Sequence, residues 1–142
     1  TENLPGIMGM AAALKSRAFV EAMPRLESLR EQLERELDAS GALVIAPDAP
    51  RIATIGAYAM PRVGSASQLI QLDLAGISVS AGSACSSGSM KPSRVLAAMH
   101  VPAEIAGSVI RVSFGPATGA NDIDRFVSEW RKFVLSAKAA AA

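Results

Sequence analysis

From Ile7 to about Ala39 apolar side chains return every three or four residues. Leu14, Ala18, Ala22, Leu26, Leu29, Leu33 and Leu37 form one stripe, and Glu27, Arg30, Glu31, Glu34 and Arg35 fall elsewhere. A stripe of this length constrains the fold strongly, because an amphipathic helix is held mainly by whatever covers its apolar face. Pro24 lacks a backbone donor and crowds the preceding turn, so it is expected to kink this helix or divide it in two. "SGA" at 40–42 ends it. A second stripe lies after Asn121, where Ile123, Phe126, Val127, Trp130, Phe133 and Val134 share one helical face and read as core. The trailing "SAKAAAA" extends that helix or frays.

Between the two stripes stand short segments rich in β-branched residues and bounded by Pro or Gly: "LVIA" (43–46), "RIATIGAYA" (51–59), "ISVSA" (77–81) and "VIRVSF" (109–114). Helices alternate with them. Ser65 and Gln68 have capping-box spacing for a helix over Ala66 to Ala75, stopped by Gly76, and Pro92 suits the first turn of another reaching about Met99. The economical architecture is α+β, one domain over residues 1–142 in which a small sheet is covered by helices. A chain of 142 residues has room for a sizeable core.

Composition removes several function classes. A formal charge of +1 leaves no basic field for nucleic acid or an anionic membrane, so neither partner is expected. No apolar run approaches the roughly 18 residues of a membrane span, and no secretory leader is recognisable. One Cys allows no internal disulfide, and one Cys with one His makes no zinc site from N and S ligands, so no metal is expected. A reducing, cytoplasmic setting fits this usage. The opening "TENLPGIMG" carries no initiating Met and reads as the latter part of a longer protein.

The single cysteine, Cys85, lies in "ISVSAGSACSSGSMKPS" (77–93) among glycines and serines that offer little apolar area to bury it. An accessible thiol is a candidate nucleophile, since a thiolate reacts strongly even when only a few per cent of it is ionised at neutral pH. A Ser/Gly linker with an incidental Cys is the plainer alternative, and a phosphate cradle is a weak one because no "GxxxxGK[ST]" is present. The segment from about Ala81 to Ser89 is expected to be poorly ordered, and Ile110 to Phe114 rigid. Arg111, flanked by Ile110 and Val112, is either a rigidly held guanidinium able to take a carboxylate bidentately or an edge-strand arginine facing water. Spacing leaves both open.

"TENLPGIMG", "LDLAGISVSAGSACSSGSMKPSRVL", "VIRVSFG" and "TGANDID", in this order, resemble the carboxy-terminal part of the cysteine desulfurases, class V aminotransferase-like enzymes of fold type I that use pyridoxal phosphate. The resemblance runs from Thr1 to about Trp130. It implies that the chain is the small C-terminal domain of such an enzyme, that Cys85 is the catalytic nucleophile, that Arg111 binds the substrate carboxylate, and that Thr1 reaches the cofactor phosphate of the other subunit. It implies L-cysteine as substrate, L-alanine as product, a persulfide on Cys85, an iron–sulfur scaffold or tRNA-thiolation relay as acceptor, and a homodimer. A selenocysteine lyase, or a persulfide-carrying module without cofactor chemistry, are the alternatives. Ala81, Lys91 and Gly119 depart from the family's usual residues, and none of Lys15, Lys91, Lys132 and Lys138 has the setting of the cofactor-bearing lysine. The segment alone is therefore expected to be inactive.

Overall fold

The computed structural model describes residues 2–82 and 93–139, with side chains as far as Ser136. The N-terminal stripe forms two helices, α1 (Leu4–Ser16) and α2 (Ala18–Asp38). The division falls at Arg17, whose φ of 49° is left-handed, and not at Pro24, which lies inside α2. The Ser16 hydroxyl donates to the Ala13 carbonyl, an alternative to the helical ladder that suits a helix end. Pro24 costs α2 one donor near its exposed start, and the rest of the helix persists. The stripe divides in burial as well. Leu26, Leu29, Leu33 and Leu37 are buried, whereas every residue of α1 is exposed, Leu14 included.

Four strands follow: β1 (Leu43–Val44), β2 (Ile55–Ala59), β3 (Ser80–Ala81) and β4 (Val109–Ser113). They pair antiparallel in the order β1-β2-β4-β3. All four are shorter than the β-branched runs suggest; Arg51 to Ala53 and Ile77 to Val79 lie outside the strands, although the Phe114 N–H still donates to the Thr54 carbonyl at 2.8 Å. Between them lie α3 (Ser65–Leu74), α4 (Arg94–Ala98) and α5 (Ala103–Ala106), and α6 (Ala120–Ala139) follows β4. The α+β expectation holds.

Side chains alternate across β2 and β4, and each face has its own cover. Tyr58, Ile110 and Val112 point to one face, where they join Leu26, Leu29, Leu33 and Leu37 of α2 and Ile123, Phe126, Val127, Trp130 and Phe133 of α6 in the main core. The aromatic pair Phe126 and Trp130 packs there with ring centroids 5.8 Å apart. On the opposite face Ala59 and Val109 pack with Leu96, Ile105 and Ala106 in a smaller cluster. The first face carries most of the burial.

Two local expectations are corrected. The capping box at Ser65 and Gln68 does not form: Gly64 is the N-cap of α3, and no side chain caps it. Gln68 is fully buried, and its Nε2 donates to the Val63 and Ser108 carbonyls, each at 2.8 Å. It therefore ties α3 to the approach to β4. Arg30, placed by its spacing off the apolar stripe, is nevertheless buried. It belongs to a charged cluster in which Arg51 donates to both oxygens of Glu34, at 2.6 and 3.1 Å, and the Tyr58 hydroxyl donates to Glu34 Oε1 at 3.3 Å. Arg30 Nη1 stands 3.6 Å from the same oxygen. Burial, and then the neighbouring Glu34 carboxylate, push the Tyr58 hydroxyl well above its ordinary pKa.

Candidate active site

Arg111 occupies the middle of β4, and β4 lies between β2 and β3, so the edge-strand reading is excluded. Its partners across the ladder are Ala57 and Ser80. Two turns of alternation decide its surroundings: Ile110 and Val112 enter the main core, so Arg111 shares the other face with Val109 and Ser113. Its side chain is partly buried, and Nη1 donates to the Gly82 carbonyl at 2.7 Å.

The guanidinium lines a cavity of about 300 Å³ formed with Ile45, Ala46, Ala57, Gly82, Ser93, Val95, Leu96, Met99 and Val109. Sheet alternation brings Ala57, Val109 and Arg111 to it. The start of α4 supplies the opposite wall, and Ser93 fixes that start by accepting the Leu96 N–H at 3.3 Å on its hydroxyl. Arg111 is the one charged residue among the described residues of this lining. A guanidinium against apolar walls suits a small anion with a short uncharged side chain, because low polarity strengthens the charge-assisted bond and penalises a second charge. A carboxylate of amino-acid size meets both conditions.

Of the residues singled out in the sequence, Arg111 stands as described, whereas Thr1, Cys85, Pro92 and the Ser83–Ser89 stretch lie outside the described residues. Reasoning from sequence missed the Gly82 carbonyl and the wall made by Val95, Leu96 and Met99. Alternation along "VIRVSF" could have paired Val109 with Arg111. The backbone carbonyl leaves no mark in residue types.

Comparison with known proteins identifies the family. The model of the family Aminotransferase class-V matches residues 1–126, and the chain belongs to that family. It is 39% identical over 129 residues to a cysteine desulfurase of Gluconacetobacter diazotrophicus, which covers 88% of this chain and 32% of that protein. It is 37% identical over 131 residues to a cysteine desulfurase of Rhodobacter capsulatus, covering 90% of this chain and 34% of that one. Among solved structures, a NifS-like protein from Rickettsia africae superposes with a TM-score of 0.78 at 27% identity, over 96% of this chain and 36% of its own. The chain thus spans about a third of the length of these relatives.

Pyridoxal phosphate, implied by the family resemblance, needs a lysine for its aldehyde and a set of donors for its phosphate. No lysine lines the Arg111 cavity among the described residues: Lys15 lies on α1, and Lys132, on α6, pairs with Glu129. The described residues therefore do not make up a cofactor site. What they supply is one guanidinium, that of Arg111, among mostly apolar walls.

Proposed function

We propose that this chain is the C-terminal small domain of a cysteine desulfurase, a dimeric cytoplasmic enzyme whose pyridoxal phosphate is held by other parts of the protein. In this reading Arg111 grips the carboxylate of L-cysteine and Cys85 receives its sulfur. The substrate C–S bond breaks with its electron pair passing to carbon, which takes up a proton to give L-alanine. An S–S bond forms at Cys85, leaving a persulfide. The thiol and L-cysteine together account for every atom and electron, so no further oxidant or reductant enters. The outer sulfur then passes to an acceptor protein, an iron–sulfur scaffold or a tRNA-thiolation relay.

The observation that carries the reading is the position of Arg111, alone in charge among apolar walls and bonded to the backbone of Gly82. Cys85 follows Gly82 by three residues, which span at most about 11 Å of chain. The similarity to cysteine desulfurases over about nine-tenths of the chain supports the same assignment.

The test uses the cofactor-loaded enzyme that contains this segment. Incubation with L-cysteine should release alanine and add the mass of one sulfur atom to the peptide containing Cys85. Cys85→Ala should abolish that adduct and leave the cofactor absorbance intact. Undiminished sulfide release with the Cys85→Ala enzyme would remove the nucleophile assignment.

A further inference from the structure

The bond between Arg111 and Gly82 suggests a role for a residue that carries no side chain. β3 pairs with β4 through Ser80 opposite Arg111 and Ala81 opposite Ile110, and the ladder then stops. Continued pairing would set Gly82 opposite Val109, but Gly82 has a φ of +63° and leaves the strand. Where backbone pairing ends, its carbonyl accepts Arg111 Nη1 at 2.7 Å. A guanidinium carries five N–H donors in a planar fork, so fixing one end fixes the plane of the rest. Among the described residues the Gly82 carbonyl is the one hydrogen-bond partner of that fork.

Resting on the carboxylate reading above, we propose that Gly82 is a positioning residue for carboxylate recognition. Its left-handed backbone presents a carbonyl that orients the Arg111 guanidinium, so that the remaining N–H groups meet a carboxylate in the cavity already aligned. The residue acts through Arg111 and does not touch the substrate. The requirement for glycine follows from conformation, since a Cβ disfavours left-handed backbone by roughly ten-fold in population. Asn is the side chain that tolerates this conformation best.

The experiment is a side-chain NMR titration of the chain labelled with ¹⁵N-arginine, using L-alanine as the carboxylate probe. Wild type, Gly82→Ala, Gly82→Asn and Arg111→Lys are compared, and Arg111 is assigned from the signal lost in the last of these. In wild type and Gly82→Asn, rotation of the Arg111 guanidinium about its Nε–Cζ bond should be slow, and L-alanine should shift its signals. In Gly82→Ala rotation should be fast, and the L-alanine concentration needed for half the shift should rise about ten-fold. The backbone amide spectrum establishes that each variant is folded. Should Gly82→Ala disturb the fold, Gly82→Asn against wild type still decides, because weakened binding with retained left-handed backbone overturns the proposal. Equal L-alanine affinity in wild type and folded Gly82→Ala also overturns it, while leaving the carboxylate site standing. No response of Arg111 to L-alanine in wild type removes the carboxylate reading and this proposal with it.

Discussion

Removing Glu34 should destabilise the protein more than removing either arginine that faces it. Glu34 sits between two guanidiniums: Arg51 reaches both carboxylate oxygens, and Arg30 Nη1 lies 3.6 Å from one of them. The side chains are 15%, 19% and 7% exposed for Glu34, Arg51 and Arg30 respectively, so solvent compensates little when a partner is lost. Arg30 Nε and Arg51 Nε are buried and have no partner within the described residues; beyond Glu34, Arg30 has only the exposed Glu27 carboxylate at 3.8 Å and Arg51 the Pro47 carbonyl at 3.2 Å, so both cations depend mainly on Glu34. Truncating one member of a buried pair costs about 3–5 kcal/mol. The residual exposure of Glu34 and Arg51 places Glu34→Ala near the lower end, at about 3 kcal/mol. That is a large part of the roughly 5–15 kcal/mol that holds a domain folded.

Arg51→Ala leaves Glu34 with Arg30 and the Tyr58 hydroxyl, so its cost should be nearer that of charged hydrogen bonds, about 1.5–3 kcal/mol. Urea unfolding followed by far-ultraviolet circular dichroism gives both numbers by linear extrapolation, with an unchanged slope confirming that the same surface is exposed. A cost below about 1 kcal/mol for Glu34→Ala, or a larger cost for Arg51→Ala than for Glu34→Ala, would refute the central role of Glu34. Either result would mean that water or rotation rescues the arginines.

Three further outcomes follow from single sites. Tyr58 is the only tyrosine, and its hydroxyl is held protonated by burial and by Glu34, so the unfolded state releases this proton first as pH rises. Stability should therefore be unaffected by Tyr58 below about pH 10 and fall above it, and Tyr58→Phe should flatten that fall in urea unfolding measured across the alkaline range. A Cβ at Gly56 would lie 1.9 Å from the Tyr58 hydroxyl, so Gly56→Ala should displace the ring and lower stability by at least about 2 kcal/mol; a thermal midpoint equal to wild type would contradict this. Arg111→Ala in the cofactor-loaded enzyme should weaken L-cysteine binding by about 1.5–3 kcal/mol, and an unchanged dissociation constant would return Arg111 to a structural role.

The parts of the fold that could be read from residues are those governed by repeating patterns. The α2 and α6 stripes predicted Leu26, Leu33, Phe126 and Trp130 as core, and all four are buried. Gly76 was expected to stop α3, and its φ of 72° is the left-handed conformation that does so. What escaped was decided by tertiary context. The break at Arg17 involves an ordinary helix former in a strained conformation, whereas Pro24, the evident breaker, is accommodated. Ser65 and Gln68 have the residues of a capping box, but burial sends Gln68 to carbonyls from two other segments. Arg30 falls off the stripe and is buried because Glu34 partners it there. At the site, Arg111 was visible as a candidate, and its choice between solvent and cavity waited on the strand order.

In the proposed reading, stability and recognition are divided between the two faces of one sheet, and a single register controls both. Tyr58 pairs with Ile110 and Ala57 with Arg111, so neighbouring pairs on the same two strands point to opposite sides. The first pair enters the main core, and the second borders the Arg111 cavity. A slip of one residue between β2 and β4 would exchange the faces, burying the guanidinium among leucines and turning Ile110 to the cavity. The cost of placing an unpaired charge in that core is several kcal/mol, comparable with the whole stability of the domain. The packing of Tyr58 and Ile110 against α2 and α6 therefore does more than hold the domain together: it fixes the position from which Arg111 reaches the Gly82 carbonyl. Substitutions that loosen the core without unfolding it should accordingly impair carboxylate recognition in step with the loss of strand register. Changes confined to Val95 or Met99, which line the cavity from α4 and its C-terminal end, should alter recognition and leave unfolding nearly untouched.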